Sequence, residues 1–513
     1  MKHIARSTLI IAVFFGLEKV LGFIRQILIA RAFNLSGELD AFNAANNIPD
    51  LIFALISGGA LAMAFIPVLS EYRENKGNSE TWKLFSQVTN LIFLITLVLS
   101  IIVGLLAKQL VSWEIGIAPG FDTQQQALVV DLMRLNLIAT VMFSISGLVI
   151  AGLQAQQHFL LPALAPSMYD IGSLVGILIL APTAGYQIGP ITLPAFGLGV
   201  YGLVYGVILG SVLFLLVQIP GLIHFKFRWT PSLSLKHPGV IKVLRLMGPR
   251  ILTVLFIQLI FITQDNLASR LTTGAVTALV YGWLFMQVPE SLIGTALGTA
   301  LLPTLSEQIS RGENQKFKET LETTIRVIFA LTVPIAVILI ILLPDLIGIL
   351  NFDAAGTELV VWTARAYMIG LVGHSLLEVA ARAFYARLNA VIPLLTSAGT
   401  LVGFILVGWL LSGWIGAPGI GLANSLLFSL ETAVLFYLLY RSLGDRPRFK
   451  TTLWRTAGAA ILGGGISYVL VSITRPAISS QFISLLAAGG IGIIAAAAAV
   501  PLVWPEIKAL LRI

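Results

Sequence analysis

The chain contains no cysteine, which rules out a disulfide framework and any thiolate metal site. Its five histidines, His3, His158, His224, His237 and His374, are scattered without ligand spacing, so a histidine-built zinc centre is not expected. His374 alone falls within an apolar span and reads as a packed core histidine. Charge is scarce: 11% of residues are charged, against roughly 25% in an average soluble domain. With 57% hydrophobic residues and a mean hydropathy of +0.93, this is a membrane protein throughout. The net charge of +8 would suit nucleic acid on a compact soluble surface. Here the cations flank hydrophobic helices, where they act as topology determinants beside anionic lipid, so no nucleic-acid partner is expected. The first apolar stretch is too long for a cleavable signal and contains Glu18, Lys19 and Arg25; it reads as a retained helix.

About 20 mostly apolar residues span a bilayer, and fourteen segments qualify. Six lie near 7–33, 42–70, 84–107, 127–154, 160–182 and 197–223, and six more near 241–269, 276–306, 320–349, 358–387, 391–412 and 418–441. A last pair lies near 453–473 and 482–504. The even-numbered connections carry the basic residues, for example Arg73, Lys76 and Lys83, then Arg311, Lys316 and Lys318. Lys and Arg concentrate in cytoplasmic connections, so both termini are expected in the cytoplasm.

The text repeats itself. PVLSE at Pro67–Glu71 returns as PTLSE at Pro303–Glu307, and each follows a proline–acid pair, Pro49-Asp50 and Pro289-Glu290. Arg134 stands 28 residues before Pro162, as Arg365 does before Pro393. Six helices per repeat is an even number, so corresponding helices run the same way through the bilayer and the repeats are parallel. Duplicated helix sets are the ground plan of secondary transporters. The expected fold is an all-α polytopic membrane protein with two parallel six-helix lobes plus a C-terminal helix pair. The expected domains are 1–225, a cytoplasmic linker 226–240, a second lobe 241–444, and the pair 445–513. Phe227 and Trp229 among basic residues suit a linker lying on headgroups.

Ionisable groups at membrane depth cost several kcal/mol unless they face a cavity or a partner, so they mark candidate sites. Lys19 and Arg25 flank one broad face of the first helix, where with Glu18 they either bind an anion or neutralise themselves. Gly16 and Gly22 bracket Glu18 and Lys19, and a bend there would make a gate; close packing is the alternative. Asp50 and Glu290 follow prolines that free a backbone carbonyl, which suits gating, with a helix-start role competing. Glu378 and Arg382, four apart, form an internal salt bridge in the bland reading. Asp265, among Gln258, Thr263, Gln264 and Asn266, has oxygen-rich neighbours and no basic residue one turn away, so it is the candidate Na+ or proton site. No other cofactor is expected.

Beyond these features, VLGFIRQILIARAFN from Val20, LDAF from Leu39 and NIPDLIFALISGGALAMAFIPVLSEY from Asn47 resemble the MurJ/MviN lipid II flippases of the MOP exporter superfamily. The resemblance continues through FLLPALAPSMYDIG from Phe159, VPESLIGTALGTALLPTLSE from Val288 and ARAFYARLNAVIP from Ala381. It implies export of an anionic, undecaprenyl-diphosphate-linked precursor across the bacterial inner membrane by alternating access, with helices thirteen and fourteen receiving the lipid tail. A monomer is the expected functional unit. Lys19 and Arg25 match the family's basic first-helix positions, and Asp40 matches its LDAF-type acid. The chain departs from the family at Gln26, Asn47, Phe53, Leu284 and Gln287, which thins the implied cationic cavity; Arg250 and Arg382 are the candidates to replenish it from the second lobe. Arg25→Ala is then expected to abolish transport while sparing the fold. Two alternatives remain: a flippase for another polyprenyl-linked glycan, and a cation-coupled multidrug exporter of the same superfamily. A membrane-bound transferase would need a catalytic acid cluster or a long outer loop, and neither is present in the sequence.

Overall fold

In hydrocarbon each backbone amide must bond within its own segment, so an apolar chain of this length resolves into helices. The computed structural model describes residues 2–56, 59–443, 450–478 and 480–510; the side chains of residues 2–12, 15, 59–64, 188, 248–250, 450 and 510 also lie outside the description. Contacts divide the chain into two units, 1–266 and 267–513.

The first unit holds α1 (Lys2–Phe33), α2 (Gly37–Ile56), α3 (Gly59–Ser112), α4 (Thr123–Ala155), α5 (Leu160–Val175), α6 (Val200–Leu216), α7 (Ile219–His224) and most of α8 (Pro238–Ala268). The second holds α9 (Ala275–Glu290), α10 (Ala296–Ser310), α11 (Asn314–Gly348), α12 (Ala354–Ile369), α13 (Leu371–Ala386), α14 (Val391–Ile415), α15 (Ala417–Leu443), α16 (Lys450–Thr474) and α17 (Gln481–Leu510). The strands described are a short hairpin, β1 (Gln187–Ile188) and β2 (Ile191–Thr192), pairing Gln187 with Thr192 before α6. Among the described residues eleven helices are long and apolar enough to cross a membrane, or twelve when α12 and α13, bent by 41°, count as one span. The expected fourteen add α1 and the α2–α3 segment, both of which run through positions outside the description.

The duplication extends to backbone geometry. Ten residues after Pro67 the chain breaks α3 at Gly77 (φ 79°), and nine after Pro303 it turns at Gly312 (φ 72°) between α10 and α11. Gln157 (φ 61°) and Leu388 (φ 56°), each five residues before Pro162 or Pro393, are left-handed although neither is glycine. The paired arginines do the same work in each unit. Arg134 Nε donates to the Gly104 carbonyl at 3.0 Å, tying α4 to α3, and Arg365 Nε donates to the Ile340 carbonyl at 3.2 Å, tying α12 to α11.

The division at Asn266–Leu267 differs from the sequence-based boundary by one helix, because α8 packs with the first unit. Val240, Val243 and Met247 enter a core with Trp82, Leu84 and Phe85, Lys242 pairs with Glu71 at 2.5 Å, and Asn266 Nδ2 donates to the Glu114 and Gly116 carbonyls. The linker is held the same way. Phe227 packs edge-on against Trp82 and Phe85, and Trp229 Nε1 donates to Asn90 Oδ1 at 2.8 Å, so its aromatics anchor to α3. Burial, with Lys76 and Lys83 nearby, holds His237 below the ordinary histidine range, and its unprotonated Nδ1 accepts the Gly239 N–H at the start of α8.

Without a hydrophobic drive between helices in lipid, small residues set the close crossings. A Cβ on Gly172 would lie 2.3 Å from Gly210 Cα, and one on Gly176 would lie 2.8 Å from Gly206 Cα. These glycines recur at four-residue spacing along α6 and along α5 with the π-helical turn Gly176–Leu180 that continues it, so the backbones touch. In the second unit the α12–α13 bend at Gly370 is served from α15, where Ser425 Oγ reaches the Ala366 and Tyr367 carbonyls at 2.6 and 3.1 Å. The C-terminal pair docks on α11: Ile338 and Leu342 pack with Val471, Ala488, Ile491 and Ala495, and Gly463 and Gly464 meet Ile338 and Val337. Asp345 on α11 accepts from Arg475 Nε and Nη2 at 3.1 and 2.5 Å, fixing the turn between α16 and α17.

Candidate functional site

On α1, Arg25 points toward α5. Its Nη1 lies 3.1 Å from Asp170 Oδ1, and the side chains are 17% and 3% exposed, while its guanidinium sits 4.9 Å from the Tyr169 ring centre. That contact is an ion pair without hydrogen-bond alignment, and Arg25 Nε and Nη1 are buried with no hydrogen-bond partner among the described residues. Gly22 faces the same carboxylate, with room for a Cβ 3.8 Å from Asp170 Oδ1. The backbone there is continuous helix. Lys19 is exposed beside Glu18 at 3.3 Å. Arg25 thus departs from the expectation of a solvated cavity charge whose loss spares the fold, because Asp170 depends on it.

A second polar group gathers in the same unit. Asp40 is buried in the first turn of α2. Nearly two turns on, Asn136 Nδ2 of α4 donates to Asn46 Oδ1 at 2.6 Å, and Asn47 Nδ2 donates to Asp265 Oδ2 at 2.5 Å. Asp265 is buried, and the Asn47 amide is the hydrogen-bond partner recorded for its Oδ2. Among the described residues no three histidine or acidic side chains gather to hold a metal ion. Asp50 is exposed. The side chain of Arg250 lies outside the described residues.

In the second unit, Glu290 ends α9 where the helix widens into a π-helical turn, Ser291–Thr295. Such turns insert one extra residue and recur at functional sites. Thr295 Oγ1 donates back to Glu290 at 3.2 Å, and Gly294 allows Ser375 of α13 to approach, since a Cβ there would lie 2.5 Å from Ser375 Cα. Arg382 forms the expected salt bridge with Glu378 and also donates to the Glu378 carbonyl at 2.9 Å and Thr299 Oγ1 at 3.2 Å. It is therefore largely spoken for inside its own unit. His374 bonds Asn424 Oδ1 at 2.9 Å and stacks on Phe428, as a packed core histidine does.

Three features escaped the sequence reading: Asp170 as the partner of Arg25, the asparagines beside Asp265, and the π turn after Glu290. The adjacent Asn46-Asn47, one turn before a proline in an apolar helix, is the signal that could have pointed to the second.

The family model described as "Lipid II flippase MurJ" matches residues 29–488. A protein of Burkholderia cenocepacia named "Lipid II flippase MurJ" is 32% identical over 91% of this chain and 90% of its own length. Among solved structures, "Lipid II flippase MurJ, inward closed conformation" superposes with a TM-score of 0.75 at 20% identity, covering 98% of this chain and 100% of that one. An inward-facing MATE family multidrug transporter of the MOP superfamily superposes at 0.68 and 12% identity, covering 83% and 94%. The two structural likenesses establish the shared fold, and the family match, running through both repeats, settles the lineage: the chain belongs to the MurJ family.

Proposed function

We propose that this protein is a lipid II flippase, carrying the undecaprenyl-diphosphate-linked disaccharide-pentapeptide from the inner to the outer leaflet of the bacterial cytoplasmic membrane. It is a transporter and not an enzyme. The observation that carries this reading is the family match over 29–488, which takes in both repeats. The physical task fits the fold. A diphosphate and a sugar-peptide cannot cross hydrocarbon unaided, whereas the polyprenyl tail can stay in lipid. Arg25 supports diphosphate contact, because its buried N–H groups lack aligned acceptors and a guanidinium grips phosphate oxygens by charge-assisted hydrogen bonds. The C-terminal pair on α11 supports a tail-receiving role, since its exposed faces carry Ile461, Tyr468, Ile483 and Ile493. Basic even-numbered connections support cytoplasmic termini.

Depletion of the protein in its own cell is expected to trap the lipid-linked precursor in the cytoplasmic leaflet. The measurement is the fraction of precursor open to a membrane-impermeant cleaving enzyme added outside; a fraction unchanged by depletion rejects the assignment. Asp265→Asn keeps the Asn47 contact available through its remaining oxygen, and we expect it to change the pH response of transport in vesicles; an identical pH profile removes Asp265 from any proton step.

A further inference from the structure

The duplication gives two copies of one helix face, and the chain covers one of them. Pro67 and Pro303 of the repeated string stand 236 positions apart, and so do Gly104 and Ile340, whose carbonyls Arg134 and Arg365 hold. In that register Ile101, Ile102, Leu105 and Leu106 of α3 correspond to Val337, Ile338, Ile341 and Leu342 of α11. On α11 this strip is where the C-terminal pair docks. Gly464 meets Val337 and Ile341, Gly463 meets Ile338, and Ala488 and Ala495 pack with Ile338 and Leu342. On α3 nothing among the described residues plays that part: Ile338 and Leu342 are 4% and 2% exposed, whereas Ile102 and Leu106 are 45% and 46% exposed.

Exposed leucine and isoleucine alone suit lipid tails. Two polar groups beside the strip do not. A groove of about 290 Å³ follows the seam of α3 and α4, lined by Leu97, Ser100, Ile101, Leu137 and Val141, with Gly104 and Arg134 at one end. Ser100 is buried on this groove, and its hydroxyl has no hydrogen-bond partner among the described residues. Arg134 uses Nε on the Gly104 carbonyl, while its Nη1 lies 4.0 Å from Asp131 Oδ1, beyond hydrogen-bond reach. The end of the guanidinium is therefore left to whatever fills the groove. An acyl chain accepts no hydrogen bond and carries no charge, whereas a helix can bring a hydroxyl or carbonyl to Ser100 and a carboxylate to Arg134.

We propose that the α3–α4 face docks a membrane-spanning helix of another protein, one that turns a glycine and alanine face to Ile101, Ile102 and Leu105 and places a carboxylate level with Arg134. The small residues follow from the occupant of the matching strip on α11, where glycine and alanine receive the bulky side chains. The carboxylate follows from the charge it meets. A second copy of this chain fits worse, because an isologous pair sets the same patch against itself, bulky side chain on bulky side chain, with no small residue to let the backbones approach. The inference is independent of which lipid the protein carries.

The full-length protein is produced in its own cell with the photo-crosslinking residue p-benzoylphenylalanine replacing Ile102 or Leu105 and, for reference, Leu406, an exposed position on α14. After illumination the adducts are purified and the crosslinked peptides sequenced by mass spectrometry. One discrete adduct is expected at Ile102 and Leu105 and none at Leu406, the partner peptide lying in an apolar span with glycine or alanine at four-residue spacing and one Asp or Glu. Arg134→Gln, which keeps an N–H for Gly104, is expected to cut the yield about fivefold, the scale of a polar contact between membrane helices. Changing the partner's acid to its amide should cut it equally, and the two changes together no further. Ile101→Trp fills the strip on an exposed surface and is expected to remove the Leu105 adduct while the melting temperature stays unchanged. Lipid adducts alone at all three positions, an adduct between two copies of this chain, a partner peptide without the acid, or a yield indifferent to Arg134→Gln and Ile101→Trp each overturn the proposal.

Discussion

Arg25→Ala is expected to lose transport completely and a large part of the folded protein with it. Asp170 is 3% exposed and Arg25 is its recorded ion-pair partner; removing one member of a buried pair leaves an uncompensated charge and costs about 3–5 kcal/mol. The single substitution therefore confounds function with folding. The double variant Arg25→Ala, Asp170→Asn removes both charges together and is expected to recover most of the thermal stability, read as the melting temperature by fluorescence-detected size exclusion, while translocation in vesicles stays at background. Normal transport by the stable double variant would remove Arg25 from the substrate path. A double variant no more stable than Arg25→Ala would show that the ion pair is not what holds α1 to α5.

Gly172→Leu is expected to be the most damaging single change to the fold. Any side chain at Gly172 meets the Gly210 backbone at 2.3 Å, and backbone cannot swing aside as a side chain can. Overpacking in a tight contact costs about 1–3 kcal/mol and occasionally more; here α5 and α6 must part along a contact made by Gly172, Gly176, Gly206 and Gly210. Tyr169 and Asp170 ride on α5, so the Arg25 contact is displaced in the same event. Gly172→Ala should fall between wild type and leucine in melting temperature, and equal stability of all three would refute the close-contact account.

The helical repeats were legible because their determinants are local: apolar length, proline–acid pairs and a repeated PxLSE string lie in the text itself. The Glu378–Arg382 bridge was legible for the same reason, as residues four apart on one helix must meet. The Arg25–Asp170 pair was not, because 145 positions separate the two in the sequence and only the α5–α1 packing joins them. The glycine contact of α5 and α6 could have been read from its four-residue spacing. The placement of α8 could not, since the choice rests on particular contacts such as Lys242 with Glu71. The π turn after Glu290 leaves no sequence signal beyond the preceding proline.

The arginine ties of Arg134 to Gly104 and Arg365 to Ile340 each begin and end inside one unit. Nothing in the first fastening waits for residues still to be synthesised, so during insertion the leading half can lock its third and fourth spans together while the trailing half is still on the ribosome. The trailing half then repeats the same step, and an order of assembly inherited with the duplication is written into the position of two side chains.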